Sequence, residues 1–422
     1  MQRFEALHAP IIVIMIIGRP ETQGHKLPYY YTIILHSVRT VKIRVPLMTK
    51  IYLIRHVQAE GNLFRMMQGH WDGEPTALGL RQAARLGERM RELPLDAIYV
   101  SDLSRALCTA AALQTHHPLP LRVDPRLREL DMGPWEGRFF GDLKHEHPGE
   151  IKTFLLRQDG WRPEGAEDYA AVTARAWPAM EEILRDNEGK SVAVVSHGVT
   201  IRCLLAKMLK VGPGEPERLP LGGNTAVSCL DYENGVFTPE YLGDNSHLDE
   251  GERLPWDRTP DLRAEAIDPL REEAFYTACY EDAWRAAHGT TRGFSPESYL
   301  LSAAEHHRAD PGAVLRILAE DEPVGLVDMD TRRGAHAGYG WLSLLYLRPE
   351  YRRLGMGIQL LGRAIMHYRA LERRSLRLTV AEDNAPAVAF YARWGFEQLG
   401  SEQGSFGRIL LLEKKIGGPG YV

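Results

Sequence analysis

Cysteine is scarce in this chain: four residues in 422, Cys108, Cys203, Cys229 and Cys279, with no two at the short spacing of a zinc site or a redox motif. That excludes a disulfide framework and a cysteine-built metal centre, and the expectation is four reduced, buried thiols in a cytoplasmic protein. Long apolar runs are missing too. Residues 11–17 and 29–35 are the two apolar stretches of the first 47 residues, and neither approaches the roughly 20 residues that span a bilayer. A secretory leader would need a longer apolar core and a small-residue cleavage site, where Gly18-Arg19-Pro20 supplies a turn. Positive charge is not in excess: 51 Lys and Arg against 56 Asp and Glu give a net charge of −5, so no overall field draws a polyanion. Neither nucleic acid nor a membrane is an expected partner.

What is present is a globular composition, 44% hydrophobic and 25% charged, in a chain too long for one ordinary core. Two α/β domains are expected, without internal repeats or low-complexity tracts. Residues 1–47 hold six basic and two acidic side chains and no recognisable motif; they are expected to be an extension of doubtful structure, with the true start at Met48. From there, short β-branched runs alternate with helical stretches, the pattern of a parallel sheet with crossover helices. Three runs end in polar clusters: Ile51-Tyr52-Leu53-Ile54 in Arg55-His56, Ala97-Ile98-Tyr99-Val100 in Ser101-Asp102 and Ser104-Arg105, and Val192-Ala193-Val194-Val195 in Ser196-His197-Gly198. Parallel strands would put these clusters on one sheet edge, where ligands of open α/β folds bind. Two guanidinium forks match the oxygens of a phosphoryl group, and a histidine between them can attack its phosphorus. A single histidine at a strand end is usually structural; four such groups at matching ends point to a site.

Through Leu53-Ile54-Arg55-His56, Ser101-Asp102-Leu103-Ser104-Arg105 and Val195-Ser196-His197-Gly198, residues 49–248 resemble the histidine phosphatase (phosphoglycerate mutase-like) family. The resemblance implies a three-layer α/β fold and a metal-independent site. In it His56 becomes phosphohistidine, Arg55, Asn62, Arg105 and His197 bind the phosphate, and Glu129 donates the proton to the leaving alcohol, with Glu136 and Asp131 as runners-up. One departure stands out: Val57 occupies the place of the family's usual glycine, which puts the local backbone in question because a β-branched residue resists positive φ. About 200 residues leave little room for the extra segments of cofactor-dependent mutases, so hydrolysis of a small phosphate ester is expected over phosphoglycerate mutase-type transfer. Residues 139–168 are expected to form a cap. The remaining histidines, His116, His117, His145, His147, His306 and His307, are expected to face solvent.

Residues 249–260 are polar and punctuated by Pro255 and Pro260, which reads as a linker. A second domain, 261–416, and a short tail, 417–422, follow. Residues 270–287 and 296–307 read as helices, and 314–318, 323–329, 340–347 and 376–380 as strands. The turn Arg352-Arg353-Leu354-Gly355-Met356-Gly357 lies between a strand and a helix, which aims backbone N–H groups and the positive helix end at a phosphate. With Glu382-Asp383-Asn384 and the stretch from Ala385-Pro386 to Gly395-Phe396, this half resembles the GCN5-related N-acetyltransferase (GNAT) family, a mixed-sheet α/β fold. The resemblance implies acetyl-CoA as cofactor and a small-molecule or peptide amine as acceptor. The cofactor would lie against Leu345, Leu347, Arg352, Arg353, Leu354, Gly355, Met356, Gly357 and Asn384, and Tyr391 would protonate the departing thiolate. Two readings remain beside the bifunctional enzyme: a mutase, and a phosphatase whose second half only senses acetyl-CoA.

Overall fold

Alternation along one strand sets the first half of the molecule. In β4 (Thr49–Arg55), Ile51 and Leu53 enter one apolar cluster and Tyr52 and Ile54 another, so both faces of the strand are buried. A strand buried on both sides belongs at the centre of a covered sheet. The computed structural model describes residues 13–14, 30–34, 40–44, 47–155, 161, 163–212, 219–220, 222–253 and 260–417. Short strands β1 (Val13–Ile14), β2 (Tyr30–Ile34) and β3 (Thr40–Arg44) pair antiparallel in a sheet of their own. Gly18-Arg19-Pro20 and residues 254–259 of the linker lie outside the described residues.

The central sheet adds β5 (Ala97–Val100), β6 (Leu121–Val123), β7 (Ser191–Ser196), β8 (Val227–Glu233) and β9 (Val236–Asp244), in the order β6-β5-β7-β4-β8-β9. β6, β5, β7 and β4 are parallel, as expected, but β8 pairs antiparallel with β4, and β9 antiparallel with β8 across a short turn. Helices α2 (Ala77–Met90) and α3 (Ser104–Gln114) cover one face; α6 (Tyr169–Asp186) and α7 (Gly198–Leu209) cover the other. Thr76 caps α2 and Asp168 caps α6, each accepting a bond from an N3 amide. Short helices α1 (Glu60–Phe64), α4 (Phe140–Glu146) and α5 (Pro148–Leu155) stand at the edge where the three motif strands end.

The second sheet runs β10-β11-β12-β13-β14-β16-β15: β10 (Leu262–Ala266), β11 (Val314–Ala319), β12 (Glu322–Asp330), β13 (Tyr339–Leu347), β14 (Ser375–Ala381), β15 (Glu397–Gly404) and β16 (Gly407–Lys415). α8 (Glu273–His288) and α9 (Pro296–Ala309) pack on one face, α10 (Gly357–Ala370) and α11 (Ala385–Arg393) on the other. The helices and strands read from sequence are all here, to within a few residues at their ends. β13 and β14 are the sole parallel pair of this sheet, and they pair only over Tyr339–Trp341 and Ser375–Arg377 before diverging. The remaining six residues of β13 therefore have no partner strand on that side.

The halves share apolar packing. Phe64 and Met66 sit in the same cluster as Leu360, Leu361 and Ala364 of α10. Around it, Arg369 pairs with Glu60, Arg363 with Asp142, and Asp261 with both Arg65 and Lys144.

Candidate active sites

The three strand ends do converge. His56 and His197 face each other with ring centroids 5.1 Å apart, and both rings are buried. Nδ1 of His56 lies 2.6 Å from the carbonyl oxygen of Val57. A carbonyl only accepts, so Nδ1 carries the hydrogen and the lone pair is left on Nε2. His197 Nε2 lies 2.9 Å from Ser101 Oγ. Ser101 Oγ also accepts from the Leu103 amide at 3.4 Å, which leaves its hydroxyl able to donate to the His197 ring or to accept from it. Burial first, then the Arg105 guanidinium, push both rings well below their ordinary pKa, so both are neutral near pH 7.

Arg105 is fully buried, and burial lowers its pKa to about 10. Its Nη1 and Nη2 donate to the Trp71 and Gly69 carbonyls at 3.0 and 2.6 Å. Arg55 donates from Nη1 to the Gly222 carbonyl at 2.7 Å. What is left over is informative: Nε of Arg55, Nε of Arg105 and Nδ1 of His197 are buried polar atoms with no partner among the described residues. Buried polar groups are nearly always satisfied, and two guanidinium donors with a histidine ring nitrogen at the strand ends that carry His56 fit a tetrahedral anion.

Glu129 lies close by, with Oε2 3.7 Å from where a Cβ on Gly198 would stand. Its carboxylate accepts from the Leu130 amide at 2.9 Å and from the Val199 and Thr200 amides at 3.2 Å, so it crowns the N-terminus of α7. Arg175 of α6, which the sequence reading passed over, clamps this segment by donating to the Arg126, Arg128 and Glu129 carbonyls. Glu136 is turned away to accept from the His70 and Met132 amides, and Asp131 from the Gly133 amide. His70, Asp131 and Glu136 bring metal-ligand-type atoms within 4.8 Å of one another, yet each is occupied in holding this turn.

Asn62 is the third residue of α1, and its Oδ1 accepts from the Ala59 amide at 3.0 Å. Asn224, not singled out from sequence, donates from Nδ2 to the His56 carbonyl at 3.0 Å and to Asn62 Oδ1 at 3.4 Å. The Gly222-Gly223 turn marked its loop without revealing the role. Val57 keeps a negative φ, so the feared backbone strain is absent; its side chain is buried and its amide donates to Thr109. His306 corrects another expectation: it is buried, 2.7 Å from Asp328, which also accepts from Tyr276. Of the expected cap, α4 and α5 are described, and residues 156–160 and 162 lie outside the described residues.

In the second half, Arg353 and Gly355 adopt φ of 61° and 79°, and α10 opens at Gly357. The amides of Leu354, Gly355 and Met356 donate to nothing among the described residues, a cradle that fits a pyrophosphate. Arg352 is placed otherwise than expected: Nε donates to Leu347 O at 2.6 Å and Nη2 meets Asp282 at 2.9 Å. Asn384 caps α11 by accepting from the Ala387 amide. Leu345 and Leu347 lie on the part of β13 that pairs with β12 alone, its β14 side being open among the described residues. Tyr391 is buried between Phe390 and Phe396, and burial raises its phenol pKa.

A family model described as the histidine phosphatase superfamily (branch 1) matches residues 51–245, and one for the acetyltransferase (GNAT) family matches residues 274–396. A curated protein of Enterobacter sp. (strain 638), named "Probable phosphoglycerate mutase GpmB", is 35% identical over 208 residues, covering 48% of this chain and 96% of its own length. Among solved structures, Bacillus stearothermophilus YhfR is 33% identical with a TM-score of 0.46, covering 47% of this chain and 98% of its own. The mycobacterial glucosyl-3-phosphoglycerate phosphatase complexed with VO3 is 29% identical with a TM-score of 0.44, covering 46% and 99%. By these matches the chain belongs, over its first half, to the histidine phosphatase superfamily and carries a GNAT acetyltransferase domain after it.

Proposed function

We propose that the first half hydrolyses small phosphate monoesters. His56 Nε2 attacks phosphorus, the P–O ester bond breaks, and Glu129 gives its proton to the departing alkoxide. Water, deprotonated by the same carboxylate, then cleaves the P–N bond, freeing phosphate and restoring His56. Arg55, Asn62, Arg105 and His197 hold the phosphoryl oxygens through both steps. The observation that supports this best is the Val57 carbonyl on His56 Nδ1, which leaves a neutral ring's lone pair on Nε2 in a site that also holds two unpartnered buried guanidinium nitrogens and an unpartnered ring nitrogen of His197. The test is acid-labile phosphate on His56 after brief mixing with an ester, lost in His56→Ala and unaffected by a chelator. A chelator that abolishes turnover, or full activity in the variant, would remove this reading.

The 35% identity to a protein named as a phosphoglycerate mutase supports a second reading. A mutase returns the phosphoryl group to a hydroxyl of the substrate acid, so it isomerises a phosphoglycerate without net release of inorganic phosphate. Phosphate release from that substrate distinguishes the two.

For the second half the reading is acetyl transfer to a small-molecule or peptide amine. Bound acetyl-CoA supplies an activated acyl thioester. Here the 354–357 amides bind pyrophosphate, the unpaired edge of β13 at Leu345 and Leu347 orients the pantetheine arm, and the Tyr391 hydroxyl holds a proton for the thiolate. Binding without turnover across a panel of amines would favour a sensor instead. Four free cysteines and the use of acetyl-CoA accord with a cytoplasmic setting.

A further inference from the structure

The phosphate-binding edge of the first half does not stand on its own residues. Helix α1, which carries Asn62, is five residues long, a single turn that backbone bonding alone does not sustain. Its support comes from α10 of the other half. Phe64 lies over Gly362, where even a Cβ would come within 2.7 Å of the ring, and Arg369 forks onto Glu60 with two bonds of 2.8 Å.

Glu60 is a junction. Its amide donates to the Glu74 carbonyl at 2.9 Å, and its Oε2 accepts from the Glu74 amide at 3.3 Å. It thereby ties α1 to the 69–74 loop, whose Gly69 and Trp71 carbonyls hold Arg105 and whose Asp72 holds Ser104. Arg369 is in turn fixed by its Nε bond to the Ile416 carbonyl at 2.5 Å. One guanidinium of the transferase half thus holds the carboxylate on which two phosphate-binding segments meet. With a sequence separation of 309 between the partners, this is a long-range contact.

We propose that Arg369 is a positioning residue of the phosphatase site, acting through Glu60 to set where Asn62 and Arg105 meet the phosphoryl group. The inference rests on those residues binding phosphate, as read above. It is tested on the full chain with orthovanadate, a phosphate analogue whose binding by calorimetry is readable whether or not any ester is turned over. Vanadate binding by the wild type but not by Arg105→Ala checks the reading itself.

Arg369→Met is expected to weaken vanadate binding, and to raise KM for p-nitrophenyl phosphate, by about tenfold, the scale of a lost charge-assisted pair. Acetyl-CoA affinity should stay within about threefold. A merely structural pair would lower the melting temperature and leave the vanadate affinity of the folded protein alone. Should the Met variant not fold, Arg369→Lys serves: it keeps the charge, loses the fork and should bind vanadate about threefold more weakly. Wild-type vanadate affinity in a folded Arg369→Met, or in Arg369→Lys where Met does not fold, would overturn the proposal.

Discussion

His56 Nδ1 is bonded to the carbonyl of its own neighbour, Val57, at 2.6 Å. The bond uses the backbone, so the side chain at 57 does not enter it. Val57→Gly should therefore leave KM and kcat within about threefold. It should also cost about 2–4 kcal/mol of stability, from a fully buried isopropyl group and a more flexible unfolded chain. Steady-state kinetics beside denaturant unfolding check both; a large kinetic loss without a stability loss would show that Val57 shapes the substrate pocket.

Glu129 accepts from the Val199 and Thr200 amides at the start of α7. Glu129→Gln keeps an acceptor there but has no proton to give. Esters of poor leaving alcohols should slow by about 10² to 10⁴, the range for a lost general acid, while p-nitrophenyl phosphate slows far less. Equal losses on both would point to a role in positioning α7.

The buried histidines make opposite predictions with pH. Burial and Arg105 depress His56 and His197, so the unfolded chain binds more protons: stability is complete above the ordinary histidine value of about 6.5 and falls as pH drops below it. His306 faces opposing influences: burial lowers its pKa, but the Asp328 hydrogen bond and charge, with Asp330 and Glu305, prevail and raise it. Its contribution is present below about 6.5 and lost as pH rises through the raised value. Melting temperatures should show His306→Gln costing more at pH 6 than at pH 9, and His197→Asn relieving part of the acid destabilisation. A pH-independent cost for His306→Gln would mean that the pair stays neutral.

The cluster of His56, Arg55, Arg105 and His197 was legible because these residues follow apolar runs, and parallel pairing of adjacent strands brings such ends together without any knowledge of loops. The GNAT-like turn was legible for a similar reason, a strand, a glycine turn and a helix in sequence. Other features depended on partners distant in sequence. Nothing near Asn224 says that its amide reaches His56, and Arg352 is drawn to Asp282 by a helix 70 residues earlier. His306 carried a weak signal: with Leu300 and Ala303 it lies on the buried face of α9, but only Asp328 explains why a histidine is tolerated there.

Tyr391 separates two roles for one ring. Tyr391→Phe keeps the contacts with Phe390 and Phe396 and removes only the hydroxyl. Acetyl-CoA binding should be unchanged while transfer to the true amine falls by about 10² to 10⁴. Unchanged transfer would leave the tyrosine a packing residue.

α10 joins the two candidate sites physically: the turn proposed to hold the cofactor precedes Gly357 at its start, and Arg369 grips Glu60 from its last turn, roughly 20 Å away at 1.5 Å per residue. A ligand that orders the first turn of a packed helix also steadies its far end, so acetyl-CoA should tighten phosphate binding. Linkage then requires vanadate to tighten acetyl-CoA by the same factor, expected to be about fivefold. Calorimetry of each ligand with and without the other measures both sides. Gly355→Glu, which crowds the loop and adds a charge opposed to pyrophosphate, should abolish acetyl-CoA binding and with it the effect, leaving vanadate affinity at its cofactor-free value. Arg369→Met should bind both ligands and show no coupling. Vanadate affinity in the wild type that ignores saturating acetyl-CoA would mean that α10 supports α1 without carrying any message between the sites.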